Sequence, residues 1–330
     1  MIQKVLFMLS ALTRLKDRSR LPLLLIWLLV MAGVCSAQAD TDWPNKPLNL
    51  LVGFSPGGGA DTLARLVARE LESELGQPVI VRNIAGGGGI VMATSLKFAA
   101  ADGYTLGMAA NSAFDGMPWV APLRYDTYDF DYLTTISQLQ NALVASGNAP
   151  FSNWDEMIAY GRQHGLNYGS VSPITREVLN MVAEREGIRI RIIPMRGGME
   201  IMNSLIGGHI DIAWSAGIHQ AFLRNGKIRV IASLNDERLR TSPQQPAITE
   251  LGYPMGYTGY FMFAVPKGMP AQIHERLSAA LIRASQSPTV AQLAEQRMGF
   301  PNIVMSPEQL TEFIHSAAED YRRAAADSAP

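Results

Sequence analysis

Cysteine is almost missing from this 330-residue chain, and the single one, Cys35, sits inside an N-terminal apolar stretch. From residue 40 onward there is therefore no disulfide framework, no thiolate metal site and no cysteine nucleophile. Histidine is nearly as sparse. His164, His209, His219, His274 and His315 are scattered, and none stands at metal-ligand spacing from another histidine or a carboxylate on one helix face. We expect no metal and no cofactor. A Gly-x-Ser-x-Gly elbow is absent, so hydrolase chemistry has no local support. Positive charge is not in excess either, with 28 Lys and Arg against 29 Asp and Glu. That balance argues against nucleic acid and against an anionic membrane surface as partners. Short internal repeats and low-complexity tracts are absent.

What is present begins with an export pattern. Lys4, Arg14, Lys16, Arg18 and Arg20 form a basic segment, Leu21 to Val34 an apolar core, and Ala37-Gln38-Ala39 a small-x-small cleavage site. We read residues 1–39 as a signal peptide cleaved near Ala39, and the product as periplasmic. The apolar run is short for a membrane span. Ala32-Gly33-Val34 before Cys35 is a poor match to a lipoprotein signal. Cleavage removes five basic residues and one acidic residue, which leaves a formal charge of −5. An anion bound by such a chain must be captured by local geometry rather than by the overall field. The remaining length suggests two domains.

Downstream, strand-length apolar runs alternate with helix-length segments, the rhythm of mostly parallel sheets flanked by helices. Leu48–Phe54 ends in Ser55-Pro56-Gly57-Gly58-Gly59-Ala60-Asp61 and leads into a helix to Leu75, closed by Gly76. Val79–Asn83 leads through Ala85-Gly86-Gly87-Gly88-Gly89 into a second helix. A glycine turn that opens a helix leaves several backbone N–H groups unpaired and outward-facing, which makes an anion site without a reactive side chain. We expect Asp61 to be structural, since its own charge repels an anion. The spacing of the second loop is not Gly-x-Gly-x-x-Gly, and no acidic residue ends the next strand, Tyr104–Ala109, to hold a ribose. Asn111 to Gln138 reads as less regular. The strand–helix pattern then restarts at Asn141–Ser146. Ser152 with Asp155 resembles a capping box for a helix through His164. Further strands are read at Asn167–Ser170, Arg189–Pro194, His209–Trp214, Ile228–Ser233 and Tyr260–Val265, and three proline-started helix patterns finish the chain.

Several ordered segments together resemble one family, the solute receptors of the tripartite tricarboxylate transporters, or Bug proteins. Trp43-Pro44-Asn45-Lys46-Pro47 through Phe54, Pro56-Gly57-Gly58, Asp61 and Ala64-Arg65 match its opening block. Leu75-Gly76-Gln77-Pro78-Val79 with Asn83 and Ala85–Gly89 match the next, and Asp102-Gly103-Tyr104-Thr105-Leu106 the third. Tyr125-Asp126, Asp129-Phe130 and Gly207-Gly208 with Ile210-Asp211 resemble later blocks. The chain departs from the family at Tyr168–Arg176, which lacks the usual run of glycines and gains Pro173 and Arg176. It departs again at Pro194-Met195-Arg196-Gly197, where Pro-Tyr-Lys-Gly is usual. Both loops face the ligand in that family, so the identity of the ligand stays open.

The resemblance implies a two-domain, periplasmic-binding-protein-like α/β fold of the Venus flytrap type, a monomer, with a hinged cleft. The first domain would take residues 40–141 and 264–330, the second 142–263. The expected ligand is a small organic carboxylate, and the implied partner a two-component membrane permease. The expected site comprises Ser55, Gly57, Gly58, Gly59, Gly86, Gly87 and Gly88 on the two glycine loops, with Asn111 and Ser112 beyond the third strand. From the second domain it takes Ser170, Ser172, Thr175, Arg196, Gly197 and Trp214. Each has a plainer alternative: Asn111 and Ser112 as ordinary loop, Ser172 or Thr175 as a helix cap, Arg176 and Arg196 as solvated surface, Trp214 as core. A secreted α/β enzyme acting on a carboxylic acid, and a sensor serving a signalling receptor, are the alternative functions.

Overall fold

The computed structural model describes residues 43–254 and 256–327. The segment expected to be a signal peptide, with Cys35, lies outside them. Pro44–Pro330 forms one compact unit that holds two five-stranded sheets. The first contains β1 (Leu48–Val52), β2 (Val79–Asn83), β3 (Thr105–Ala110), β4 (Phe130–Gln138) and β10 (Tyr260–Pro266), in the order β2-β1-β3-β10-β4. The second contains β5 (Ala142–Ser146), β6 (Leu166–Ser170), β7 (Ile190–Pro194), β8 (Ile212–Ser215) and β9 (Ile228–Ser233), in the order β7-β6-β8-β5-β9. Each sheet has four strands running one way and one against them, β10 in the first and β5 in the second. These two strands are where the chain enters one sheet from the other, across residues 139–141 and back across 234–259. β10 belongs to the first sheet from Tyr260 onward, so sheet membership changes ahead of the expected boundary at 264.

The helices follow their apolar periodicity. α1 (Gly59–Leu75) buries Leu63, Val67, Leu71 and Leu75 on one stripe and ends in the left-handed Gly76. α2 (Ile90–Lys97) and α3 (Met117–Val120) belong to the first half, and α4 (Trp154–His164), α5 (Pro173–Glu186), α6 (Gly198–Ile206) and α7 (Gln220–Leu223) to the second. α8 (Ala271–Ser285), α9 (Pro288–Gln292), a π-helical turn Leu293–Arg297 and α10 (Pro307–Asp327) finish the chain. Among the described residues no helix is long and apolar enough to cross a membrane.

Two expectations need correction. The cap of α4 is Asn153, whose side chain accepts from the Glu156 N–H, and it is the Glu156 carboxylate that reaches back to the Ser152 N–H and hydroxyl. The irregular stretch before 138 contains a nine-residue strand, β4. Its polar residues disguise it. Thr134, Thr135 and Ser137 are fully buried, and the two threonine hydroxyls donate to the carbonyls of Met305 and Ile303 at 2.7 Å. A strand that hydrogen-bonds a crossing segment through its side chains carries hydroxyls where an apolar pattern would be sought.

Candidate functional site

The glycine loops lie at the C-terminal ends of β1 and β2, and loops after β6, β7 and β8 face them from the second half, the place where open α/β sheets receive ligands. The two sides touch. The Ser55 hydroxyl donates to the carbonyl of Arg196 at 3.0 Å, a bond that spans 141 positions of sequence. A Cβ placed on Gly197 would sit 3.0 Å from that of Ser55, and one on Gly88 would sit 3.1 Å from both the Val171 carbonyl oxygen and Pro173 Cδ. Between these contacts remain two cavities of about 40 Å³ and about 10 Å³, which share Phe54, Val171, Trp214 and Phe261 as walls. Such volumes hold a few waters at most. Ser55, Gly58, Gly59, Gly198 and Phe300 are among the other residues of the larger cavity, and Gly88, Ser112, Ser172 and Tyr257 belong to the smaller.

The first loop is organised by Asp61, which is buried and ligated on several sides. It accepts from the Gly57 N–H at 2.9 Å, from Asn83 Nδ2 at 2.8 Å and from Arg65 Nε at 3.0 Å. Burial alone raises its pKa, but the Arg65, Gly57 and Asn83 donors outweigh that and hold the carboxyl below its usual value. The charge that would repel an anion is thus turned away from the cleft and neutralised. The Gly57 amide is spent on this bond and is not a free donor. Among the described residues the amides of Gly58, Gly59 and Ala60 have no protein acceptor, and they form the N-terminus of the 17-residue α1. Gly86, Gly87, Gly88 and Gly89 have φ of 146°, 58°, 69° and 113°, a run that only glycine sustains. The amides of Gly86, Gly87 and Gly88 likewise lack protein acceptors among the described residues, whereas Gly89 donates to the Gly86 carbonyl.

Other expected residues are absorbed by the protein itself. Asn111 is buried, accepts from the Tyr257 hydroxyl at 3.0 Å and the Tyr260 N–H at 2.7 Å, and donates to Asp115 at 2.7 Å. The Ser112 amide donates to the Tyr257 oxygen at 3.1 Å, which leaves its hydroxyl beside the smaller cavity. Ser170, Ser172 and Thr175 form a closed set: Ser170 Oγ lies 2.9 Å from Thr175 Oγ1 and accepts the Ser172 N–H at 3.0 Å, and Ser172 caps α5. Tyr168 donates into the same set at 3.1 Å. These hydrogen bonds stiffen the loop and occupy its hydroxyls, while Ser172 also lines the smaller cavity. Arg176 donates to the Ser170 carbonyl at 3.0 Å, and burial lowers its pKa. Arg196 is exposed at the rim, and Gly197 is the N-cap of α6.

Trp214 forms part of both cavity walls, and its indole N–H donates to Asn141 Oδ1 at 2.9 Å. That bond leads into a network the sequence did not reveal. Asn141 Nδ2 donates to Asn235 Oδ1 at 2.9 Å and to the Tyr257 carbonyl at 2.8 Å, and Asn235 Nδ2 donates to the Leu139 carbonyl at 2.9 Å. All these residues are on the two crossovers. The apolar walls Phe54, Val171, Phe261 and Phe300 were also missed. They come from distant segments and read as ordinary core until the fold brings them together.

This arrangement can hold a small anion by main-chain N–H groups at one end and enclose a short hydrocarbon against aromatic rings, with closure of the second half over the first. Residues 63–325 match the tripartite tricarboxylate transporter family receptor. The chain is 30% identical over 296 residues to the protein BugT of Bordetella pertussis, covering 86% of this chain and 89% of that one. Its fold is similar to that of MatC from Rhodopseudomonas palustris, solved with bound malate, with a TM-score of 0.76, 23% identity, and 86% and 100% of the two chains covered. A second R. palustris protein, solved with adipate, aligns with a TM-score of 0.75 at 24% identity over 86% and 99%. Matching that family over most of its length, the chain belongs to the tripartite tricarboxylate transporter receptor family.

Proposed function

We propose that this protein is an exported receptor that captures a small organic carboxylate in its cleft and presents it to the membrane permease of a tripartite transporter. The observation that carries the reading is the pair of turns whose amides at Gly58–Ala60 and Gly86–Gly88 have no protein acceptor among the described residues, with Gly58, Gly59, Ala60 and Gly88 lining the nearly closed cleft. Such donors favour an anion at the N-terminus of α1 without any reactive group, and the aromatic walls suit the carbon chain between two carboxylates. The malate and adipate of the two fold relatives are both acids of this kind. Arg196, at the rim, supplies a guanidinium to the outer carboxylate. Entry of a four-carbon acid requires the cleft to open, with residues 40–141 and the C-terminal segment from β10 moving against 142–259 about the Asn141–Asn235–Tyr257 crossovers. The ligand then favours the closed state because only that state supplies both sets of contacts. The protein acts as a periplasmic monomer without its first 39 residues, and it does not transform what it binds.

A thermal-shift screen of organic acids tests this. At about 100 times its dissociation constant a ligand adds roughly 2.7 kcal/mol of stability. Dicarboxylates should raise the melting temperature and be recovered unchanged. A shift produced only by cations or neutral sugars, or turnover of a bound acid, defeats the reading.

A further inference from the structure

On the face of the first half that carries α1, a second concavity of about 570 Å³ runs between α1 and the α9–π-helical segment. Its lining includes three guanidinium groups, Arg65 and Arg69 from α1 and Arg297 from the opposite wall, and no carboxylate. Leu66 and Leu293 give it a partly apolar floor. Arg65 is tied to Asp61, but among the described residues neither Arg69 nor Arg297 has an acidic partner, and both are exposed. On a chain with no net positive charge, this is a local concentration of cations of which only Arg65 has an acidic partner among the described residues.

We infer that this groove is a docking site for an acidic segment of a protein partner. Geometry selects that occupant. Arg65 and Arg69 are about one helical turn apart along α1, and Arg297 stands on the other wall, so the charges are spread along a channel rather than converging on one phosphate-sized point. A channel with an apolar floor also fits a chain better than the flat surface of a membrane. Guanidinium groups pair with carboxylates through two parallel hydrogen bonds, which suits Asp and Glu side chains. The position adds a consequence. Arg65 holds Asp61, and Asp61 holds the Gly57 amide of the cleft loop. The opposite wall runs on into Phe300, which lines the cleft and lies 2.2 Å from where a Cβ on Gly217 of the second half would fall. A partner seated here would lie against both elements that lead to the cleft lining. The inference stands on the groove's own lining and does not depend on which solute the cleft takes.

The test uses the exported chain and a fluorescent hexaglutamate peptide followed by anisotropy at low ionic strength. The unsubstituted protein should bind it. Arg69→Glu combined with Arg297→Glu should weaken binding by at least about tenfold, while a charge-matched pair on exposed positions of the second half, Arg191→Glu with Arg224→Glu, should change it by less than about threefold. A photo-crosslinker on the same peptide should label residues 62–69 and 292–297 of the unsubstituted protein, a readout that no misfolded variant can imitate. The proposal is overturned by absence of binding, by equal loss in the two double variants, or by labelling elsewhere. Inorganic phosphate displacing the peptide as effectively as unlabelled peptide, or groove-dependent capture by anionic lipid vesicles, overturns it as well.

Discussion

Closure of the cleft can be probed at a single atom. Gly88 has φ +69°, and a Cβ there would stand 3.1 Å from the Val171 carbonyl oxygen and 3.1 Å from Pro173 Cδ, both on the second half. Gly87 has φ +58°, but the three atoms nearest its Cβ would all belong to Ile90, at the start of α2 in the same half. Alanine at either position bears a similar left-handed backbone penalty, about 1–2 kcal/mol, so both variants should lose similar stability. Only Gly88→Ala adds a conflict across the cleft. Ordinary contacts begin near 3.4 Å, so the closed state must yield by about 0.3 Å at two points, one of them backbone that cannot swing away. Overpacking of this kind costs about 1–3 kcal/mol, which corresponds to about 5- to 150-fold weaker binding of any ligand that requires closure. Calorimetric titration with a carboxylate that raises the melting temperature, beside thermal unfolding of each variant, measures both effects. Equal affinity losses in Gly87→Ala and Gly88→Ala, or unchanged affinity in Gly88→Ala, would show that closure through this contact is not part of binding.

Tyr257→Phe removes the hydroxyl that bridges the Ser112 amide and Asn111 Oδ1. Thermal unfolding should show a loss of about 1–3 kcal/mol, since buried groups lose their partner, or roughly 2–4 °C of melting temperature per kcal/mol. Asp61→Asn keeps the shape of the loop and removes the charge that orders it. Because the folded carboxyl titrates below its usual 3.8, its stabilisation is present above that value and lost as pH falls through the lower folded value. The variant should be about 1–2 kcal/mol less stable at neutral pH, the half-exposed Arg65 being discounted. Urea unfolding should show the deficit vanishing in acid; a deficit that persists there contradicts the assignment. His219 and Asp115 give slopes of opposite sign. Burial holds buried His219 near 3, with Nδ1 2.9 Å from Ser215 Oγ and Nε2 accepting from Gln220, so from about pH 3 to 6.5 the unfolded chain takes the proton and stability rises with pH. Burial pushes Asp115 up to about 6, so from 3.8 to 6 the native state keeps a proton that the unfolded chain releases, and stability falls with rising pH. Each contributes about 1.4 kcal/mol per pH unit. His219→Gln should therefore make the stability–pH slope less positive across that window and Asp115→Asn more positive; identical slopes in both variants refute the account.

Much of the architecture was legible because it depends on local pattern. α1 announces itself by Leu63, Val67, Leu71 and Leu75 at helical spacing and by Gly76, and the structure ends it there. β4 was invisible because its inward threonines satisfy the carbonyls of a segment about 170 positions away, a reason for polarity that no window of sequence contains. The candidate site divides the same way. Gly58, Gly59 and Gly88 were identified from turn chemistry and line the two small cavities, whereas Gly86 and Gly87 line neither. Gly57, Asn111, Ser170 and Thr175 were identified by the same chemistry and are occupied by Asp61, Tyr257 and one another.

The sequence by itself determined the alternation of strand, glycine turn and helix, and with it the placing of unpaired amides at the C-terminal ends of β1 and β2. These follow from periodicity and from the backbone freedom of glycine, which act over a few residues. Only the tertiary structure decided which of those amides remain free, that Ser55 meets Arg196, and that Asn141 ties Trp214 to both crossovers. Hydrogen-bonding capacity belongs to a residue, but whether it is spent depends on what the fold brings within 3 Å of it.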